Sequence, residues 1–305
     1  MIGSANVDYA LALPRLPMPG ETVTGGTLHI SHGGKGANQA VAARLLGAEV
    51  RLIACVGEDR PGTAIRESLY ALGVDVDGVL RTADAPTGTA LIMVDSEGRN
   101  QIGVAPGANH RLTVDMVRPH ETSIQWADVV LCQLETPLAV VLWALVAARR
   151  QGKITILNPA PFRPMPEDVW KYITYLTPNE SELFQLTSIE ARDVTSAREG
   201  AQQMLERGVG TVIVTLGARG ALMCDGKGAA HFPAFPVEAV DTTAAGDAFN
   251  GGLAVGLAAG GTLEQAVPLA SAAGALTCTK RGAQDALPDR AAVERFLQSL
   301  QGGGT

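Results

Sequence analysis

The chain has 305 residues, 46% of them hydrophobic and 18% charged, which is ample material for a large core. Its formal net charge of −7, with no run of Lys and Arg, argues against a nucleic-acid partner. The longest small-apolar stretch, Gly251 to Gly261, is too short and glycine-rich to span a bilayer, and no charged-then-apolar leader opens the chain.

Met1-Ile2 runs straight into Gly3-Ser4-Ala5-Asn6, so either the first strand is very short or the start codon has been placed late. Asn6 and Asp8 follow it one residue apart; in extended chain they face one side and suit adjacent hydroxyls, although an Asx turn accounts for them equally well. Glu21–Ser31 is rich in Thr and Gly. Gly33-Gly34-Lys35-Gly36-Ala37-Asn38-Gln39-Ala40 then leads into a helical pattern over Ala37–Leu46. It is not a Walker A loop, since no Ser or Thr follows the lysine, and no G-x-G-x-x-G occurs elsewhere. Such dense glycine lets a ligand approach the backbone, with Lys35 and Asn38 as donors; a plain turn feeding a helix is the alternative.

Glu49–Val56 reads as a strand and Thr63–Leu72 as a helix. Thr87–Val104 carries two extended runs around Asp95-Ser96-Glu97-Gly98, a hairpin signal. The strand Asp128–Cys132 ends in Gln133-Leu134-Glu135, placing Glu135 at a carboxyl edge, either as a ligand group or as a solvated strand end. A helix over Leu138–Gln151 and strands over Ile154–Leu157 and Ile173–Thr177 follow. In Thr177-Pro178-Asn179-Glu180-Ser181-Glu182 the spacing predicts Asn179 as an N-cap with Glu182 as its capping-box partner. The pair also suits Mg²⁺, which keeps most of its waters. After a helix over Thr195–Arg207 and a strand over Thr211–Thr215, the residues Thr215-Leu216-Gly217-Ala218-Arg219-Gly220 turn between two apolar runs, to line a nucleotide or simply to close a hairpin.

The most informative stretch is Asp241-Thr242-Thr243-Ala244-Ala245-Gly246-Asp247. Its small residues leave backbone N–H groups uncovered at the start of a helix over Ala245–Ala259, and Asp247 falls in the first turn. An anion cradle beside a carboxylate suits phosphoryl transfer; the plainer reading is a dipole-favouring aspartate in a tight turn. Helices over Leu263–Cys278 and Arg290–Leu300 close the chain, and the tail Gly302-Gly303-Gly304 reads as disordered.

The alternation of strand and helix predicts an α/β fold: a mostly parallel sheet covered on both faces, with ligands beyond the carboxyl ends of the strands. Segments 9–32 and 87–104 have no helix to pair with, and form a small β lid on one domain spanning 1–305. Cys55, Cys132, Cys224 and Cys278 lack C-x-x-C pairing, as expected for free thiols of a cytoplasmic protein, and the five histidines show no metal-ligand spacing.

Taken in order, these segments resemble the ribokinase-like (PfkB) family of carbohydrate kinases over nearly the whole chain. The blocks that carry the resemblance are Gly-Ser-Ala-Asn-Val-Asp, Pro-Gly-Glu-Thr-Val, Gly-Gly-Lys-Gly-Ala-Asn-Gln-Ala, Gln-Leu-Glu, Asn-Pro-Ala-Pro, Thr-Pro-Asn-Glu, Thr-Leu-Gly-Ala-Arg-Gly and Asp-Thr-Thr-Ala-Ala-Gly-Asp. The resemblance implies a Rossmann-like α/β domain with a β lid that uses ATP and Mg²⁺ to phosphorylate the primary hydroxyl of ribose. By matching positions, Asn6, Asp8, Gly34, Lys35, Gly36, Asn38 and Glu135 would hold the sugar. Asp247 would be the base, at an anion hole made by the N–H groups of Ala245 and Gly246 beside Ala244. Asn179, Thr215, Gly217, Ala218, Arg219, Gly220, Gly246 and Ser271 would face the nucleotide, Ser271 replacing a histidine usual at that place, and Glu182 would order the Mg²⁺ waters. A K⁺ ion would sit on the Asp241 carboxylate and the carbonyls of Thr243, Thr277, Lys280 and Gly282, with Ala286 where a serine hydroxyl is usual and Asp285 beside it. A homodimer through the lid is implied as well. A kinase of another small furanose (2-deoxyribose, a nucleoside or fructose) and a catalytically silent sugar-binding regulator stay open as alternatives.

Overall fold

The computed structural model describes residues 1–302. In chain order the main elements are β1 (Asn6–Ala12), β2 (Thr27–Gly33), α1 (Lys35–Leu45), β3 (Ala54–Gly57), α2 (Arg60–Ala71), β4 (Val79–Thr82), β5 (Gly88–Val94) and β6 (Asn100–Ala105). Then come α3 (Val114–Val117), α4 (Glu121–Trp126), β7 (Val129–Cys132), α5 (Leu138–Arg150), β8 (Ile154–Leu157), β9 (Tyr175–Leu176), α6 (Glu180–Thr187) and α7 (Val194–Glu206). The last third holds β10 (Thr211–Thr215), β11 (Ala221–Asp225), β12 (Gly228–Phe232), α8 (Ala245–Ala258), α9 (Leu263–Thr277) and α10 (Arg290–Gly302). Gly303 and Gly304 of the expected disordered tail lie outside the described residues.

The large sheet runs β12-β11-β10-β9-β8-β7, parallel from β7 to β10 and antiparallel beyond. Apolar residues alternate to both faces, as a doubly covered sheet requires. Leu131, Ile156 and Ile213 meet Phe249 and Leu253 of α8. Val130, Leu157, Val212 and Val214 belong instead to the core that includes Leu145 of α5 and Met204 of α7. No helix among the described residues is long and apolar enough to cross a membrane.

The expected strand over Glu49–Val56 is regular only from Ala54, because Arg51 and Ile53 join their neighbours by single bridges. The N-terminal strand is likewise one residue: Ile2 bridges Ile53 on one side and Cys132 on the other, and so joins β3 and β4 to the large sheet. Behind Met1 lies a cavity of about 430 Å³, bordered by Val50 and Arg51 on one flank and Asp128 and Val129 on the other, with Trp126 and Val255 above and below.

The lid is a separate four-stranded sheet, order β2-β1-β5-β6, with its hairpin turn at Asp95–Gly98 as expected. Its first strand begins earlier than expected, at Asn6, so Asn6 and Asp8 belong to the lid sheet itself and face one side of it. Within Glu21–Ser31 only the part from Thr27 onward is strand. The turn after Thr215 closes the β10–β11 hairpin.

Candidate active site

Asp247 is buried in the first turn of α8. The helix is entered through Ala244, a non-glycine residue at φ 60°, whose left-handed backbone takes the chain sharply from loop to helix. The N–H of Ala245 donates to the Thr242 carbonyl at 3.2 Å, so it is engaged within the turn. The expected pair of open donors, Ala245 and Gly246, therefore shifts by one residue: the next N–H groups, of Gly246 and Asp247, lie at the helix start without a side-chain cap. The Asp247 carboxylate accepts from Asn38 Nδ2 and from Gln39 Nε2, both at 2.9 Å.

Asn38 and Gln39 sit on α1, whose start is pressed against the loop after Ile2. A Cβ on Gly36 would come within 2.5 Å of the Ser4 nitrogen, and one on Gly34, at φ 87°, within 2.8 Å of the Asn6 nitrogen. These glycines thus bring two stretches of the chain's own backbone together. Glu135, beyond the end of β7, ties the same corner, accepting from Ser4 Oγ at 2.5 Å and from the Lys35 backbone N–H at 3.0 Å. Asn6 Oδ1 accepts from Asn109 Nδ2 at 2.7 Å, a partner that local sequence pattern gave no reason to expect.

Asp8 is buried, and its Oδ1 has no hydrogen-bond partner. Burial, reinforced by the nearby charges of Glu135 and Asp247, pushes its carboxyl up to about 6. Lys35 is the opposing cation: the Asp247 charge, more than that of Glu135 or Glu182, holds its ammonium above the usual lysine range despite burial. The structure thus brings Asn6, Asp8, Gly34, Lys35, Gly36, Asn38, Glu135 and Asp247 to one cleft at the carboxyl end of the sheet.

Asn179 caps α6 as its spacing predicts: its side chain accepts from the Glu182 N–H at 2.8 Å, and the Glu182 carboxylate accepts from Asn179 N at 2.9 Å and Nδ2 at 3.0 Å. Burial raises the Glu182 carboxyl above the usual range, countered by Asn179 and Lys35. Thr215 bridges to Asn179, which brings the Gly217–Arg219 turn beside this cap. The Arg219 side chain points elsewhere, to Glu180 and the Arg192 and Ala191 carbonyls. Ser271 lies half-buried on α9, which packs against the start of α8 where Gly274 meets the Ala245 carbonyl.

The Asp241 carboxylate accepts from Thr243 N at 2.9 Å and Gly282 N at 3.0 Å, clamping the loop before α8 to the loop after α9. Burial works against its charge, yet these donors hold its carboxyl below the usual range. The Thr277 carbonyl accepts from Lys280 N at 3.3 Å, and Ala286 is fully buried. Among the described residues no group of three or more His, Cys, Asp or Glu is placed to hold a metal.

A family model described as pfkB family carbohydrate kinase matches residues 1–290. The chain belongs to that family of kinases. Among similar proteins, the ribokinase of Haemophilus influenzae is 39% identical over 298 residues, covering 98% of this chain and 97% of the relative. A crystal structure of ribokinase from Thermotoga maritima superposes with a TM-score of 0.90 at 38% identity, covering 97% of this chain and 98% of that one. The Arabidopsis thaliana ribokinase, solved in complex with ribose and ATP, also gives 0.90, at 32% identity with 97% of each chain covered.

Proposed function

We propose that this protein is an ATP-dependent ribokinase, transferring the γ-phosphoryl group of ATP to the primary 5-hydroxyl of D-ribose. The observation that carries it is the pairing, in one cleft, of Asp247 at an uncapped helix start with a buried, unpartnered Asp8 oxygen. A sugar hydroxyl is the donor that Asp8 lacks, and Asp8, Asn38 and Glu135 suit a polyol better than an anion. Asp247 accepts the proton of the attacking hydroxyl while the N–H groups of Gly246 and Asp247 face the charge that develops on the phosphoryl oxygens. Likeness to ribokinases at 36–42% identity supports the sugar assignment. A coupled ADP-release assay over pentoses, hexoses and nucleosides tests it: ribose should give the highest kcat/KM, and preference for another sugar would overturn it.

Asn179, Thr215 and the 217–220 turn line the side of the cleft assigned to the nucleotide, with Ser271 on the adenine side. The Mg²⁺ that arrives with ATP supplies charge neutralisation at the phosphates. Both Glu182 oxygens already accept from Asn179, so the residues fit an ion held through its waters rather than by direct ligation.

The Asp241 carboxylate, held ionised by the N–H groups of Thr243 and Gly282, is a hard oxygen donor of the kind a monovalent cation takes. Ala286 contributes no hydroxyl, so K⁺ is expected to activate with weakened affinity. Titrating KCl against choline chloride at constant ionic strength checks this, and a rate indifferent to K⁺ would remove the site.

The lid exposes Leu28, Ile30 and Leu91 at 54%, 60% and 60% of their surface. Ile30 and Leu91 flank Tyr9 in one cross-strand row, so the patch is continuous. Such a face and its open strand edges are expected to be covered by a second copy. Sedimentation at micromolar concentration should show a dimer that Leu91→Lys converts to monomer; a parent that sediments as monomer would refute it.

A further inference from the structure

Gln39 is fully buried in α1, and both its amide nitrogen and its amide oxygen are hydrogen-bonded. Its Nε2 donates to Asp247 Oδ1 at 2.9 Å and to Asn158 Oδ1 at 3.1 Å, while its Oε1 accepts from Gln133 Nε2 at 2.6 Å. The amide orientation is dictated, because the reverse would set an oxygen against the carboxylate. From Asn158 the chain of bonds continues through Nδ2 to the Thr177 carbonyl at 3.1 Å. Thr177 Oγ1 then donates to Asn250 Oδ1 at 2.6 Å, and Asn250 Nδ2 donates to the Gly246 carbonyl at 2.8 Å. The path leaves α8 at Asp247 and returns to it at Gly246, passing through α1 and the ends of β8 and β9.

We propose that Gln39 is a positioning residue for phosphoryl transfer, orienting the Asp247 carboxylate and, through Asn158, Thr177 and Asn250, the Gly246 peptide of the anion hole. The inference rests on the reading of Asp247 as the base. Asn38 bonds the other carboxylate oxygen; it is the sugar contact in the reading above, and the fully buried Gln39 acts only from behind. With Oδ1 held by Gln39, the carboxylate is fixed in rotation, and Oδ2 keeps a lone pair for the attacking hydroxyl. Buried amide networks of this kind impose one geometry only when every member is satisfied.

The test compares Gln39→Met, Asp247→Asn and the double variant. Gln39→Met keeps the length and removes the donor, and is expected to lower kcat ten-fold or more while ribose affinity by calorimetry stays within about two-fold. The double variant should fall no further than Asp247→Asn alone, because a residue acting through another adds nothing once that residue is lost. Independent, multiplied losses, or a loss of ribose affinity as large as the loss of kcat, would overturn the proposal and leave Gln39 as packing. If Asp247→Asn itself has near-normal turnover, the base assignment fails and Gln39 falls with it; if only Gln39→Met is near normal, the inference alone fails. Should Gln39→Met not fold, Gln39→Glu keeps the volume and sets an acceptor against Asp247: its kcat should be depressed most at alkaline pH and recover on acidification, where a shared proton restores the bond. A Gln39→Glu enzyme as active as the parent across pH would overturn the proposal.

Discussion

Asp247→Asn is expected to lower turnover by about two to four orders of magnitude, the usual scale of a lost general base. The substitution keeps the shape of the side chain, and its carbonyl oxygen can still accept from Gln39 Nε2, 2.9 Å from Oδ1 in the parent. Its amide nitrogen would meet the Asn38 nitrogen as donor to donor; rotation of the Asn38 amide relieves this once Gln284, whose Nε2 donates to Asn38 Oδ1 at 3.3 Å in the parent, turns its own amide as well. Ribose binding and Tm should therefore change little. A coupled assay on the purified variant, with calorimetric ribose binding alongside, decides the matter: turnover within a few-fold of the parent would remove Asp247 from the reaction.

Asp8→Asn should weaken sugar binding and strengthen the fold at the same time. Losing a charged acceptor for a sugar hydroxyl costs about 1.5–3 kcal/mol, so KM for ribose should rise roughly ten-fold to a hundred-fold. The stability effect follows from the raised carboxyl, about 6 in the folded chain against 3.8 as the ordinary value. The native state binds this proton more tightly than the unfolded chain does. Stability due to Asp8 is therefore greatest in acid, declines as pH rises between about 4 and 6, and is lowest above that window. The asparagine carries no charge at any pH and avoids the loss. At pH 8 the variant should be the more stable by on the order of 1–3 kcal/mol, with the gap closing toward pH 5. Thermal unfolding of both proteins at the two pH values, with KM measured at the higher, checks both halves. A variant less stable at pH 8 with an unaltered KM would show that Asp8 serves only the fold. The pattern belongs to a site whose buried charge is kept for its ligand at the expense of the empty fold.

Several site residues were legible because their signals are local. Asp247 stands in the first turn after a run of small residues, and Asn179 stands three residues before Glu182, the spacing by which one helix turn closes a capping box. Asn6 and Asp8 alternate on a strand, so their common face follows from the period of two. The β11–β12 hairpin was not legible: Gly228-Ala229-Ala230-His231-Phe232 is too poor in β-branched residues to read as a strand, and it forms one by pairing with β11.

What the sequence by itself determined is the family, the alternation of strand and helix, and the place of Asp247 in the first turn of α8, because each depends on residues near one another in the chain. Tertiary structure alone decided which distant amides meet. Gln39, Asn158, Thr177 and Asn250 stand on four separate elements, and nothing in their spacing distinguishes them from other buried amides and hydroxyls. It also decided which N–H groups stay open at the start of α8, since the left-handed Ala244 lets the Ala245 N–H close on Thr242 and moves the free donors one residue onward. Finally, it decided the charge state of the sugar cleft. Burial, reinforced by the charges of Glu135 and Asp247 that are distant in sequence, lifts the Asp8 carboxyl to about 6, with Lys35 as the opposing cation of Asp247.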